Sequence, residues 1–322
     1  MKTISILIPA YNEEDVLGQC YHRTANVINE IGDYTFEILF VNDGSKDHTL
    51  SIIKSIRMID DRISYVNLSR NFGKEIAMIA GLDYAKGDAV VLMDADLQDP
   101  PELIPKLIDY WEQGYDDVYA KRRSRDGESW LKKFTSAQFY RLLQKTTRIP
   151  IQEDTGDFRL LDRRAVEALR KLRETQRYTK GMFSWIGFNK KEILFDRDSR
   201  AAGKTKWHYA SLVNLAIEGI TSFTVAPLRL SSIVGVIVSL CAFIYMLFII
   251  GRTVLFGNNV DGYASLMTVI LFLGGLQLLS IGIIGEYLGR VFNETKRRPL
   301  YFVDEYNDEK VREIIHASQT VK

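Results

Sequence analysis

From residue 230 to residue 251 the chain carries no charged side chain, and residues 262–285 are equally free of charge. Each run holds about 22 residues, and a helix of that length rises far enough to span the roughly 30 Å hydrocarbon core of a bilayer. Only residues 252–261 lie between them, so the two runs predict a transmembrane hairpin. Two core helices of a soluble protein are the competing reading, and the length of the runs argues against it. Arg229 precedes the pair, Arg290, Lys296, Arg297 and Arg298 follow it, and Arg252 stands alone in the connection. That bias predicts a multi-pass protein of the cell membrane with both termini in the cytosol. Gly285 and Gly289 permit close helix contact, a weak signal at a membrane edge.

The rest of the chain has a different pattern. Strand-like apolar runs at residues 4–8, 36–41, 63–68 and from 89 onward alternate with helical patterns at 13–31, from 47, and at 74–86; residues 118–121 read as a further strand. This β-α-β-α order predicts an α/β domain built on a doubly wound parallel sheet over residues 1–225. The hairpin then occupies 226–291, and 292–322 form a cytosolic tail, loose from Asn307 onward.

The run that begins at Ala89 stops at Asp94-Ala95-Asp96, with Gln98 and Asp99 behind and Pro100-Pro101 opening the next helix. Residues two apart in extended chain point the same way, so Asp94 and Asp96 can face one crevice. In open α/β sheets ligands bind outside the carboxyl ends of strands, where this pair falls. Hard oxygen ligands so closely spaced suit Mg²⁺ or Mn²⁺, whose coordination is usually shared with substrate phosphates. A polar turn capping the next helix is the plainer alternative. Other strand ends are polar too, with Asn12 and Glu13 after the first strand and Asp43-Gly44 after the second. Asp43 can accept hydrogen bonds from a ribose or a base, or simply form an Asx turn.

Composition narrows the function classes. A formal charge of +1 implies no polyanionic partner, and so no nucleic acid. The two cysteines, Cys20 and Cys241, are placed too differently to pair, and the four histidines show no ligand spacing. A strand-like segment at 4–8, with no signal peptide before it, keeps the soluble part in the cytosol. Neither Gly-x-Gly-x-x-Gly after the first strand nor Gly-x-x-x-x-Gly-Lys-Ser/Thr occurs, which argues against a dinucleotide or P-loop site. Residues 128–148 and 209–223 mix apolar and polar positions as interfacial helices do, although from its own sequence the first is better read as a helix covering a sheet edge. Residues 200–207 form a basic loop able to clamp phosphates.

Together these pieces resemble a membrane-anchored family 2 glycosyltransferase of the polyprenyl-phosphate type, similar to bactoprenol glucosyltransferases and more distantly to dolichol-phosphate mannose synthases. The resemblance rests on residues 5–14 (SILIPAYNEE), 41–45 (VNDGS), 70–75 (RNFGKE), 94–98 (DADLQ), 156–160 (GDFRL), 200–207 and 285–290 (GEYLGR). It implies a GT-A (nucleotide-diphospho-sugar transferase) fold and a UDP-sugar donor. It places the nucleotide against Pro9, Tyr11, Glu13, Asp43, Lys74 and Asp94, and Mg²⁺ or Mn²⁺ at Asp94, Asp96 and Gln98. It makes Asp157, with Asp96, catalytic, and sets Arg159, Arg200, Lys204, Thr205 and Lys206 at the acceptor phosphate. Thr205 departs from a frequent Ser but keeps the hydroxyl. The Gln-x-x-Arg-Trp string of processive synthases is absent, which argues for a single transfer.

The implied reaction moves one sugar, glucose ahead of N-acetylglucosamine, to polyprenyl phosphate with inversion at the cytosolic membrane face. The resemblance also implies a homo-oligomer, a tetramer. A membrane-anchored transferase with a non-lipid acceptor is the main rival. A non-catalytic nucleotide-sugar sensor would lack the metal and acceptor residues that this chain has. A channel is disfavoured because a single uncharged hairpin offers no pathway.

Overall fold

A computed structural model describes residues 1–123, 155–175, 177, 179–195, 225–256 and 262–311. It divides into two compact units, one of residues 1–215 with 298–322 and one of residues 216–297.

The first unit is built on a nine-stranded sheet. Four strands match the sequence pattern: β1 (Lys2–Ala10), β2 (Tyr34–Asn42), β3 (Ile63–Leu68) and β4 (Ala89–Leu92). Interleaved with them are α1 (Leu17–Asn29), α2 (Thr49–Arg57) and α3 (Lys74–Tyr84). The first helix starts four residues later than the expected 13, because residues 12–16 are spent on the turn after β1. A 3₁₀ turn at Pro101–Leu103 leads into α4 (Ile104–Glu112), followed by β5 (Asp117–Arg122). Then come β6 (Thr155–Asp162), α5 (Arg163–Lys171), α6 (Thr179–Trp185) and β7 (Lys190–Phe195).

The sheet order is β7-β5-β6-β4-β1-β2-β3, completed by β8 (Val303–Tyr306) and β9 (Glu309–Lys310). β1 to β4 are parallel, which is the doubly wound core expected. β6 runs antiparallel to both β4 and β5, and β8 antiparallel to β3, so the sheet is mixed at its flanks. Strand order reverses at β1, with β2 on one side and β4 on the other. That makes the ends of β1 and β4 the switch point where a crevice opens.

Apolar residues on both faces of the strands explain the burial. Ile4, Ile6, Ile8, Phe40 and Val91 join one cluster with Leu17, Ile53 and Leu107 from α1, α2 and α4. On the other face Leu7 fits against Gly81 of α3 so closely that a Cβ there would overlap it. Each such aliphatic side chain contributes about 1.5–3 kcal/mol when fully buried.

The segment after the helical hairpin corrects the expectation of a loose tail from Asn307. Residues Asn307 and Asp308 turn with positive φ between β8 and β9, and Asn307 Oδ1 accepts the Tyr65 N–H at 2.8 Å. Glu305 accepts from Lys54 Nζ at 2.7 Å and from the Tyr65 hydroxyl at 2.6 Å. These bonds fasten β8 to the outer edge of β3.

The second unit is a pair of helices, α7 (Ala226–Phe256) and α8 (Tyr263–Thr295). Ser231 and Ser280 join them through a 2.9 Å hydroxyl–hydroxyl bond. By length and composition, Phe272–Thr295 is the one described helix able to cross a membrane. Many large apolar side chains described along both helices, Phe243, Phe248, Phe272 and Leu279 among them, are more than half exposed.

Two loops at the carboxyl edge are locked by one glycine. Gly44 sits at φ 64°, and a Cβ built on it would meet the Arg70 carbonyl carbon at 2.4 Å and the Asn71 nitrogen at 2.6 Å. Backbone lies on the far side, so nothing there can yield cheaply. Gly44→Ala is expected to cost roughly 1–3 kcal/mol in denaturant unfolding of the full chain. Gly32→Ala, where a Cβ meets nothing, is the matched control.

Candidate active site

The crevice at the switch point is walled by the turns that follow β1, β2, β3 and β4. The first two are stapled to each other: Asn12 N–H donates to Ser45 Oγ, Lys46 N–H to Asn12 Oδ1, and Glu13 N–H to Thr49 Oγ1, all near 3 Å. Pro9, next to last in β1, is in register with Val41, and Tyr11 stands 38% exposed just beyond the strand. Asp43 lies under this edge, buried. Its carboxylate accepts the Phe72 and Gly73 N–H groups at 2.7 and 2.9 Å, tying the β3–α3 loop to the end of β2. Burial pushes the Asp43 carboxyl up, and the two N–H bonds partly offset this.

The turn after β4 is wound by its own carboxylates. Asp99, buried, accepts the Asp94 N–H at 3.1 Å, and Asp96 accepts the Gln98 N–H at 3.1 Å. Leu97 between them is at φ 62°, a left-handed conformation uncommon for a non-glycine residue. Strain of this kind persists where the surroundings over-determine a turn. Burial, reinforced by the charge of Asp94, pushes the Asp99 carboxyl up to about 7.

β6 brings the fourth wall. Its antiparallel register sets Ala89 opposite Asp162 and Leu92 opposite Arg159, so continuing the register brings Asp94 level with Asp157. Lys74, the first residue of α3, bridges them: its ammonium lies 2.6 Å from Asp94 Oδ1 and 2.6 Å from Asp157 Oδ2. Desolvation works against this charge, yet Asp94 and Asp157 together hold the Lys74 ammonium well above its ordinary range. Desolvation likewise opposes the Asp157 carboxylate, but Lys74, then Lys180, bring it down to about 2.

The structure thus gathers Pro9, Tyr11, Glu13, Asp43, Lys74, Asp94, Asp96, Gln98 and Asp157 at one edge. Arg159 lies beneath this edge, close enough for its charge to help hold the Asp157 carboxylate down. It is fully buried, pairs with the equally buried Asp117 at 3.0 Å, and lies over the Phe183 ring at 3.7 Å. Where the resemblance implies an acceptor contact, this conformation has Arg159 bracing β6 against β5 inside the sheet. Arg200, Lys204, Thr205 and Lys206 lie outside the described residues, as do 128–148 and 209–223.

Among the described residues no three Asp, Glu, His or Cys side chains form a metal cage. The donor set nevertheless fits a hard divalent ion. Such ions need only one or two carboxylates when substrate phosphates complete the shell. The site also already stabilises a positive charge, that of Lys74, between two of its carboxylates.

Residues 5–170 match glycosyl transferase family 2, more than half of the chain. The chain belongs to that family. Residues 226–291 match the GtrB C-terminal hairpin. Over 302 residues, 94% of this chain and 95% of the relative, it is 52% identical to an uncharacterized glycosyltransferase of Synechocystis. It is 45% identical to a prophage bactoprenol glucosyl transferase homolog of Escherichia coli, covering 93% of this chain and 98% of that one. The bactoprenol glucosyl transferase of Shigella phage SfX is 44% identical over the same shares. The mixed sheet with its switch-point crevice is the GT-A fold of this glycosyltransferase family.

Sequence reasoning missed two acidic groups of this glycosyltransferase site, Asp99 and Glu75, because each reads as an ordinary helix-start carboxylate. Glu75 Oε2 accepts the Thr179 N–H at 2.9 Å, joining α3 to α6. Burial, then the charge of Asp157, push its carboxyl up from 4.5 to about 7. A carboxyl raised in the folded state holds its proton while the unfolded chain ionises. Glu75 therefore lowers stability progressively as pH rises from about 4.5 to about 7, with no further change above. Glu75→Gln, which keeps an acceptor for Thr179, is expected to stabilise the fold more at pH 8 than at pH 5, by on the order of 2 kcal/mol in denaturant unfolding.

Proposed function

We propose that this enzyme transfers one glucosyl residue from UDP-glucose to a polyprenyl phosphate, with inversion, at the cytosolic face of a membrane. The observation that carries the reading is one continuous similarity, 45% over 93% of the chain, joining the family 2 crevice and the hairpin to a bactoprenol glucosyl transferase homolog. The hairpin crosses the bilayer twice with both termini cytosolic, keeping the crevice near a lipid that cannot leave its membrane. UDP-N-acetylglucosamine is the second donor to test.

The uridine is held by Pro9, Tyr11, Glu13 and Asp43, on the turns stapled to one another after β1 and β2. Asp94, Asp96 and Gln98 would hold Mg²⁺ or Mn²⁺. Bound there, the ion stabilises the negative charge that gathers on the departing diphosphate. In the transfer, an acceptor phosphate oxygen bonds to the anomeric carbon, the bond from that carbon to the diphosphate breaks, and its electron pair leaves with UDP. Arg200, Lys204, Thr205 and Lys206 contact the acceptor phosphate and offset repulsion between the two anionic substrates. The chain works as a homo-oligomer, a tetramer.

Asp157 acts as an orienting anion and carries no proton. In the donor-free enzyme Lys74 holds this carboxylate down near 2, so it carries no proton there at neutral pH. A phosphate monoester with a second pKa of roughly 6 is already mostly dianionic there. In the donor-free enzyme Asp157 also holds the Lys74 ammonium at the crevice floor.

Purified full-length protein supplied with undecaprenyl phosphate, a divalent ion and radiolabelled UDP-glucose should move label into the organic phase. Asp96→Ala should lower that transfer by about 100-fold or more. Label that stays aqueous with every prenyl phosphate and either donor would falsify the acceptor assignment. Asp157→Asn should reduce turnover by at least about tenfold while keeping the same acid limb near the acceptor's second pKa, roughly 6. A displaced limb in that variant would instead make Asp157 a proton carrier.

A further inference from the structure

We propose that the Lys74 ammonium is an internal occupant of the metal site, bridging Asp94 and Asp157 until a nucleoside diphosphate draws it off, so that a divalent ion binds well only together with the donor. The inference rests on the assignment of the metal to Asp94 and Asp96 made above. Lys74 makes a charge-assisted contact to each carboxylate, at 2.6 Å to Asp94 Oδ1 and 2.6 Å to Asp157 Oδ2. A dication approaching Asp94 alone therefore has to break a short ion pair and settle beside an ammonium of like charge.

A diphosphate changes both terms. Its oxygens complete the hard-oxygen shell that two carboxylates leave open, and they give Lys74 a new anionic partner. The geometry lets the exchange happen without moving the backbone. Gly73, immediately before Lys74, is held by Asp43 at 2.9 Å, so the base of the lysine is fixed to the floor of the nucleoside pocket. Its four-carbon stem is flexible, carries a point charge, and its side chain is 44% exposed, which leaves it free to swing. Asp157 remains in place after the swing because it belongs to β6, and its register with β4 does not depend on Lys74.

The test measures Mn²⁺ binding by the full-length protein in detergent, from the loss of the free-ion EPR signal, with and without UDP. Wild type should bind Mn²⁺ weakly alone and far more tightly with UDP. Lys74→Ala should bind Mn²⁺ about tenfold or more tighter than wild type without UDP, and UDP should tighten it by a smaller factor than it does wild type. Lys74→Arg, which keeps the cation, should stay close to wild type, and Lys74→Gln replaces the alanine variant if that one does not fold. If Lys74→Ala and Lys74→Gln bind Mn²⁺ no tighter than wild type while UDP still tightens the wild type, the internal-cation proposal is overturned and the metal assignment stands. If wild type binds UDP but no Mn²⁺ even then, the metal assignment falls and this proposal with it.

Discussion

Two carboxylates meet at the carboxyl edge of this sheet because β6 runs antiparallel to β4, and one ammonium keeps them there. Without the reversal of β6, Asp157 would lie at the opposite end of the strand from Asp94. Without Lys74, two like charges would face each other across a partly desolvated crevice, an arrangement that pushes one of them to protonate. The remaining features of the site follow from the need to hold this cluster still. Asp43 ties down the loop that carries Lys74, Asp99 ties down the loop that carries Asp94, and Gly44 lets the first of these loops come close enough.

The parallel core was legible in the sequence because its strands are apolar on both faces and its helices alternate with them. Ile4 to Ile8 and Ala89 to Leu92 can be read as buried strands without knowing their neighbours. β6 was not legible as a strand. Its sequence, TGDFRLLD, puts an aspartate and an arginine at interior positions, and a charged residue inside a strand reads as surface. Arg159 is tolerated there because Asp117 of β5 neutralises it, a partner about forty residues away that no local pattern reveals. β8 was hidden for a similar reason, since Val-Asp-Glu-Tyr is short and acidic, and its stability comes from Lys54 and Tyr65 across the sheet edge.

The site was legible in its residue types and much less so in their partnerships. Asp94, Asp96, Asp43 and Asp157 stand at strand ends or in motifs, so spacing and resemblance find them. That Lys74 joins two of them, that Glu75 sits against α6, and that Arg159 turns inward are facts of packing. They depend on which strands become neighbours, and in a mixed sheet that order follows from the whole topology.

Chain continuity gives the helical pair an unusual attachment. The polypeptide leaves the catalytic unit ahead of Ala226, runs through both helices, and comes back to that unit at Arg298 before β8 joins the sheet. The hairpin is thus an insertion within a folded body and not a pendant at its end. A protease that nicks only the entry strand would leave the helices attached, because the exit strand is riveted to β3 by hydrogen bonds that do not involve the cut.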